Sequence, residues 1–468
     1  MGAVETLHDQ AEAVHLRASG ALSRWSWRTL LVATVGLWWL YAFVDWWQAV
    51  NQPGGVWTAT TPSDPYHLAS AQLLMLVPWA LTIRTLRSAS GGVSKFVVGA
   101  WALVAMPLLL SPPTQSHDVM QYVVYGHLQS GPDLNPYLTS PAAAGDNWLG
   151  IASWPDTRAV YGPLWLLALD FLVGLAGTHL VLAILLVKFL AVALVGVAAF
   201  ALLRLRADDS VGITAGGPAT LAFLLLNPLV VTSVALGGHL DAALAAAFLL
   251  AMLADQRRRP IVALVLLLAA CLVKAYAVLV LGIYLVALWR RGERKSVMLG
   301  LAISVIVTVI AYAPYWAGAA TLLPLRDSAG MHDPTLFTVT GLRALAPLIV
   351  LTVAVVLVFH RITPRQPWFA AAILLGTFMF VSGWFLPWYL VGLVALVAPL
   401  TDKRIRRAVA VGTGTSFILL PTQWLAVQTL ARYAPVVLAW NLPTGRVSAS
   451  HSPDTAPTPD TAAGQGSP

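Results

Sequence analysis

Residues 111–161 read SPPTQSHDVMQYVVYGHLQSGPDLNPYLTSPAAAGDNWLGIASWPDTRAVY. The stretch follows an apolar run over 96–110 and precedes another that starts at Leu164. It holds four aspartates and two histidines among several aromatics. That polarity makes it a long extramembrane segment laid against apolar neighbours. Acids and aromatic anchors at a membrane surface mark a place for chemistry.

The chain around it has 468 residues, 58% of them hydrophobic and 10% charged, with a mean hydropathy of +0.75. A soluble domain carries roughly a quarter of its residues as charges. The chain is therefore expected to be an all-α integral membrane protein crossing the bilayer many times. Its net charge of +8 would suit nucleic acid, but the positives fall in short loops between apolar runs, as the positive-inside rule expects. No nucleic-acid partner is expected. Cys271 is the single cysteine, so no intrachain disulfide can form. No cleavable signal peptide is expected in the mixed polar first thirty residues.

Topology follows from the positives. Residues 1–28 are expected to be a cytoplasmic tail and 29–440 one membrane domain. Residues 441–468, rich in Ser, Thr, Pro and Gly, are expected to be a disordered tail. Residues 30–50 should cross outward, 68–83 return and 96–110 cross out to the 111–161 loop. Arg257, Arg258 and Arg259, then Arg290 to Lys295, then Lys403 to Arg407, mark the inner face. Residues 220–236 are read as one crossing, and 242–253 as its return. The run 261–284, with Lys274 in its middle, is read as two short helices meeting outside. Residues 164–177 and 180–203 break the parity. Either 164–177 is a half-helix, or the 204–209 loop lies outside despite two arginines. Several runs are shorter than the roughly 20 residues a crossing needs. Such pieces are tolerated where they line a cavity.

Candidate site residues cluster in the outer segments. Asp118, after the Pro112-Pro113 turn and beside His117, is placed to act as a general base; Ser116 or Asp118 as a helix N-cap is the structural alternative. Tyr122, Tyr125 and Tyr137 are expected to surround Asp118. Asn135 lies before Pro136 in a rigid turn, and Tyr161 opens the next helix. His239 and Asp241 sit at an outer helix junction, where they are costly unless they face a cavity. Lys274 could bind a lipid phosphate or snorkel. Arg326, His332, Asp333 and Arg343 lie in or beside the other large outer loop, where arginine is a natural phosphate clamp. Trp388 could stack on a sugar or anchor a helix end. The acids Asp118, Asp133, Asp146 and Asp156 form no close pair, so no metal site is assigned. The lack of a P-loop pattern argues against ATP-driven transport, and no cofactor is expected. Two function classes stay open on these residues: a lipid-sugar transferase, and a secondary transporter or flippase of a lipid-linked sugar.

The order of these features resembles the polytopic GT-C glycosyltransferases that use polyprenyl-phosphate sugars, and most closely the actinobacterial alpha-1,6-mannopyranosyltransferases. The resemblance covers about residues 30 to 430. It rests on His117-Asp118-Val119, on Tyr122 to Gly126 with Gly131 and Asn135-Pro136-Tyr137, and on Tyr161-Gly162-Pro163-Leu164-Trp165. Gly238-His239-Leu240-Asp241-Ala242, Lys274 and Pro387-Trp388-Tyr389 extend it. Leu240 departs from the family's Asn, and His117 stands where many such enzymes carry a second acid. The resemblance implies a GT-C fold of about 11 to 13 crossings with short surface helices in the first large outer loop. It implies inverting transfer of mannose, or another hexose, from a polyprenyl phosphate to a lipid-anchored mannan. Asp118 would be the base and the other named residues would bind substrate. The enzyme would act as a single chain among membrane lipids, on the outer face of the plasma membrane.

Cysteine labelling from outside tests the topology. Ser140→Cys should label and Ser296→Cys should not; the reverse pattern would overturn it.

Overall fold

The computed structural model describes residues 26–51, 57, 65–130, 134–145, 148–324, 350–362, 366–381 and 386–419. Among these the protein is all-helical, and its only β pairing is isolated bridges such as Ile213 with Leu400. Residues 1–25 and 420–468 lie outside the described residues, as do Asp133, Asp146, Arg326, His332, Asp333 and Arg343.

The first three helices are α1 (Trp27–Val50), α2 (Pro65–Leu86) and α3 (Ser94–Leu110). Next come α4 (Asp118–Ser130), α5 (Pro163–Ala176), α6 (Leu180–Arg204) and α7 (Pro218–Leu225). They are followed by α8 (Asp241–Gln256), α9 (Pro260–Val273), α10 (Val278–Arg290) and α11 (Arg294–Tyr312). Helices α12 (Val350–His360), α13 (Pro367–Val381), α14 (Leu390–Val397) and α15 (Lys403–Leu419) complete the described chain. Helix α8 is the centre: it packs against α6, α9 and α14. Its composition explains the place. Alanines at 242, 245, 246 and 247 keep it thin and are buried, so neighbouring helices can approach closely.

Among the described residues three helices are individually long and apolar enough to cross a membrane: Trp27–Val50, Leu180–Arg204 and Arg294–Tyr315. Shorter apolar helical stretches of 10–17 residues stand beside them, among them Ser94–Leu110, Pro163–Ala176 and Pro260–Val273. An interrupted helix must satisfy its broken ends inside protein rather than against lipid. Two interruptions bear on function. The run 220–236, read from sequence as one crossing, is broken and bends by 52°. Pro228 brings no backbone N–H, and Asn227 caps the new turn by accepting from the Leu229 N–H at 3.0 Å. A π-turn over Thr232–Leu236 then delivers the chain to Gly237. The second break falls at Lys274, where the sequence places it: α9 stops at Val273, and Lys274 is extended at φ −148°.

The polar stretch does not lie loosely on the domain. Ser111 to Ser116 are buried, and α4 packs against α5 and α6. The far end of the stretch is stitched to the α9 terminus, where the Gly162 N–H donates to the Val273 carbonyl at 2.9 Å. A Cβ on Gly162 would stand 2.0 Å from the Leu272 carbonyl oxygen. Contact, not backbone conformation, therefore requires glycine there, since its φ is an ordinary −69°.

Gly162→Ala should push the 111–161 stretch away from the Lys274 break. Overpacking of this kind costs about 1–3 kcal/mol. A thermal unfolding midpoint several degrees below the parental one is expected, and an unchanged midpoint would contradict the stitch.

Candidate functional site

Three stretches far apart in sequence meet at one place: the start of α4, the start of α8, and the α9–α10 break. Asp118 opens α4 and is 4% exposed. Its backbone N–H donates to Ser116 Oγ at 3.3 Å, so Ser116 serves the helix start and the Asp118 carboxylate is released from that duty. Among the described residues Asp118 Oδ1 has no hydrogen-bond partner. Asp118 Oδ2 stands 3.4 Å from His239 Nδ1, an electrostatic contact rather than a formed hydrogen bond.

His239 reaches this position because Gly238 turns the chain at φ +63°, a conformation that favours glycine. The imidazole stacks on Trp388 at 4.1 Å with an interplanar angle of 18°. Two residues on, Asp241 begins α8 with no exposed surface. Both its oxygens accept from Lys274 Nζ at 3.0 Å, and Oδ1 also accepts from the Tyr276 hydroxyl at 2.6 Å. The same ammonium lies 3.7 Å above the Tyr389 ring. The Asp118 charge acts on Lys274 through space.

An aromatic wall closes one side. Tyr122 meets Tyr161 and Trp165 edge-on at 5.1 and 5.6 Å. Burial, and after it neighbouring phenol and carboxylate groups, push the Tyr122 and Tyr161 hydroxyls well above their ordinary range. Both remain protonated near neutral pH and can donate hydrogen bonds.

Tyr137 is placed elsewhere than the sequence suggests. It packs against Tyr312 and Tyr315 and donates to the Tyr161 carbonyl at 2.7 Å. It supports Tyr161 rather than Asp118. Asn135 braces the same corner: its side chain accepts from the Tyr137 N–H at 3.0 Å and donates to the Tyr315 carbonyl at 2.9 Å. The His117 carbonyl accepts from Ser153 Oγ at 3.2 Å. Asp156 is exposed. Among the described residues no three His, Cys, Asp or Glu side chains converge as a metal-ligand set.

Sequence reasoning missed Tyr276, Lys188 and Asp45 as parts of this region. Tyr276 lies two residues beyond Lys274 and looks like an interfacial aromatic. Lys188 and Asp45 had a usable signal, a lone charge inside an apolar run. Asp45 stands beside Trp46 and Trp47, a pair whose likeness to an interfacial belt hides the charge.

The arrangement joins a buried carboxylate with a free oxygen, an imidazole beside it, an anchored ammonium and a wall of phenols. Such a set can take a proton, hold a charged headgroup and stack on a sugar.

Comparison with known proteins bears on the same elements. Residues 26–291, more than half of the chain, match the family described as alpha-(1->6)-mannopyranosyltransferase, N-terminal domain. That span contains Asp118, His239, Asp241 and Lys274. The chain is also similar to alpha-(1->6)-mannopyranosyltransferase A of Mycobacterium tuberculosis, with 26% identity over 383 residues, 73% of this chain and 72% of that protein. No solved structure matches. The helical membrane architecture and this match agree, and the chain belongs to the alpha-(1->6)-mannopyranosyltransferase family, a family of sugar-transferring enzymes.

Proposed function

We propose that the protein transfers mannose from a polyprenyl phosphate to a hydroxyl of a lipid-anchored mannan, with inversion at the anomeric carbon and an alpha-1,6 linkage. The single observation that carries this reading is the convergence of Asp118, His239, Asp241 and Lys274 from three separate parts of the chain. The family's name supplies the sugar and the linkage. The 111–161 stretch is the catalytic loop in this proposal, and the site faces outward from the plasma membrane. The domain crosses the bilayer about 11 to 13 times, with its shorter helices lining a cavity.

The chemistry balances without a bound cofactor. The acceptor oxygen attacks the anomeric carbon as Asp118 takes its proton. The bond from that carbon to the phosphate oxygen breaks, and its electron pair leaves with polyprenyl phosphate. A phosphate leaving group needs little acid help, but it needs its charge stabilised. Lys274 and the phenol hydroxyls of Tyr122 and Tyr161 supply positive charge and hydrogen bonds on the side facing the donor. Asp241 holds Lys274 in place and is not itself a base, because both of its oxygens are engaged. Trp388, with its ring against His239, is the platform for a sugar face.

The reading is tested by giving purified protein a labelled polyprenyl-phosphate mannose and a short mannoside. Transfer of the label to the mannoside is expected; movement of the intact lipid without transfer would favour a flippase instead. Asp118→Asn should lower kcat at least about a hundredfold, as loss of a positioned base does, with donor affinity and thermal midpoint near parental values. Asp241→Asn should show the opposite split. Breaking one side of a buried ion pair costs about 3–5 kcal/mol, so its midpoint should fall and its donor affinity weaken. A fully active Asp118→Asn would move the base to another residue.

A further inference from the structure

Lys188 lies in the first half of α6, a 25-residue apolar helix, with no exposed surface. A buried ammonium is costly unless it is fully used. Its Nζ donates to the Leu108 carbonyl at 2.9 Å and to the Ser111 carbonyl. These carbonyls lie at the end of α3, where the helix dipole presents negative charge. They also begin the buried segment that leads to Asp118. Two more bonds fix that segment: Thr114 Oγ1 donates to Asp45 Oδ1, and the Gln115 amide to the Tyr41 hydroxyl. Asp45 is buried as well.

The stem of the same lysine meets the other half of the site. A Cβ on Gly238 would stand 3.0 Å from Lys188 Cγ and 3.1 Å from Val119 Cγ2. Gly238 is thus wedged between Lys188 and the residue after Asp118, and His239 comes next in the chain. One side chain touches the approach to Asp118 with its head and the approach to His239 with its stem.

We infer that Lys188 is a positioning residue that sets the spacing of Asp118 and His239, by gripping the chain on both sides. The role rests on the proposed function of Asp118. It acts through backbone placement and requires no contact with substrate. A shift of about 1 Å in a reacting group is enough to cost about a hundredfold in rate, so loosening this grip is felt in kcat before it is felt in donor binding.

The test replaces both buried ionisable groups together, as Lys188→Met with Asp45→Asn, so that neither can leave a charge buried in this region. The folded double variant should lose at least about tenfold in kcat with donor KM within about twofold of parental. Asp118→Asn should cost less on this background than on the parental one, because its carboxylate is already misplaced. A parental kcat, or two losses that simply multiply, overturns the inference. Should the double variant not fold, Lys188→Arg keeps the charge, sets a bulkier head against the same two carbonyls, and should show the same loss of kcat with donor KM near parental; a parental kcat in a folded Lys188→Arg overturns the inference. Absence of any transfer by the parental protein would instead defeat the proposed function. Lys188 is then still read by the ring resonances of His239 in protein labelled with 15N-histidine, assigned through His239→Gln. They should move in the double variant and stay in place in Ile184→Met, one turn away; resonances that stay in place in both overturn the inference.

Discussion

A carboxylate with no exposed surface, held by an ammonium at 3.0 Å and a phenol at 2.6 Å, joins the central helix to the break between its neighbours. The pair ties the start of α8 to the extended residue between α9 and α10. Both ends are places where a helix in lipid would fray, because backbone groups there lack intrahelical partners. Charge and hydrogen bonds make up that deficit locally. This is how short helices become tolerable in a bilayer-sized domain.

A parallel arrangement closes the other end of the same helices. Asp255, near the end of α8, accepts from Arg291 at 2.8 Å, from Tyr284 at 2.9 Å and from the Trp368 indole at 3.1 Å. An acid on α8 thus meets a base and a tyrosine at both ends, and the central helix is fixed in register against α9 and α10. A helix of 16 residues keeps the two acids about 20 Å apart. The site at Asp241 is therefore seated on a rod anchored at its far end, and rigid elements of this kind hold a reacting group better than loops do.

The polar stretch 111–161 is pinned at intervals rather than along its length. Lys188, Asp45 and Tyr41 take its first part, Val273 takes Gly162, and Tyr315 takes Asn135. Each of these bonds joins residues far apart in sequence. The stretch brings Asp118 into the protein while keeping Asp156 exposed.

The sequence alone was enough for the helical membrane class, the family and the break at Lys274. Those follow from hydropathy, from motif order and from one charge in an apolar run, all of which are local signals. It also pointed to Asp118, His239, Asp241 and Lys274, because a charge or imidazole amid apolar residues is costly wherever the chain goes. It could not decide which of these meet. That depends on the bend at Asn227-Pro228, on the left-handed turn at Gly238 and on close contact at Gly162, and these are set by neighbours absent from any local window. Hydropathy also gave no count of full-length spans among the short helices, since a broken helix and a whole one have the same composition. Only the tertiary structure moved Tyr137 away from Asp118 and brought Lys188 behind it, because a side chain's partners are fixed by packing across the fold and not by its position along the chain.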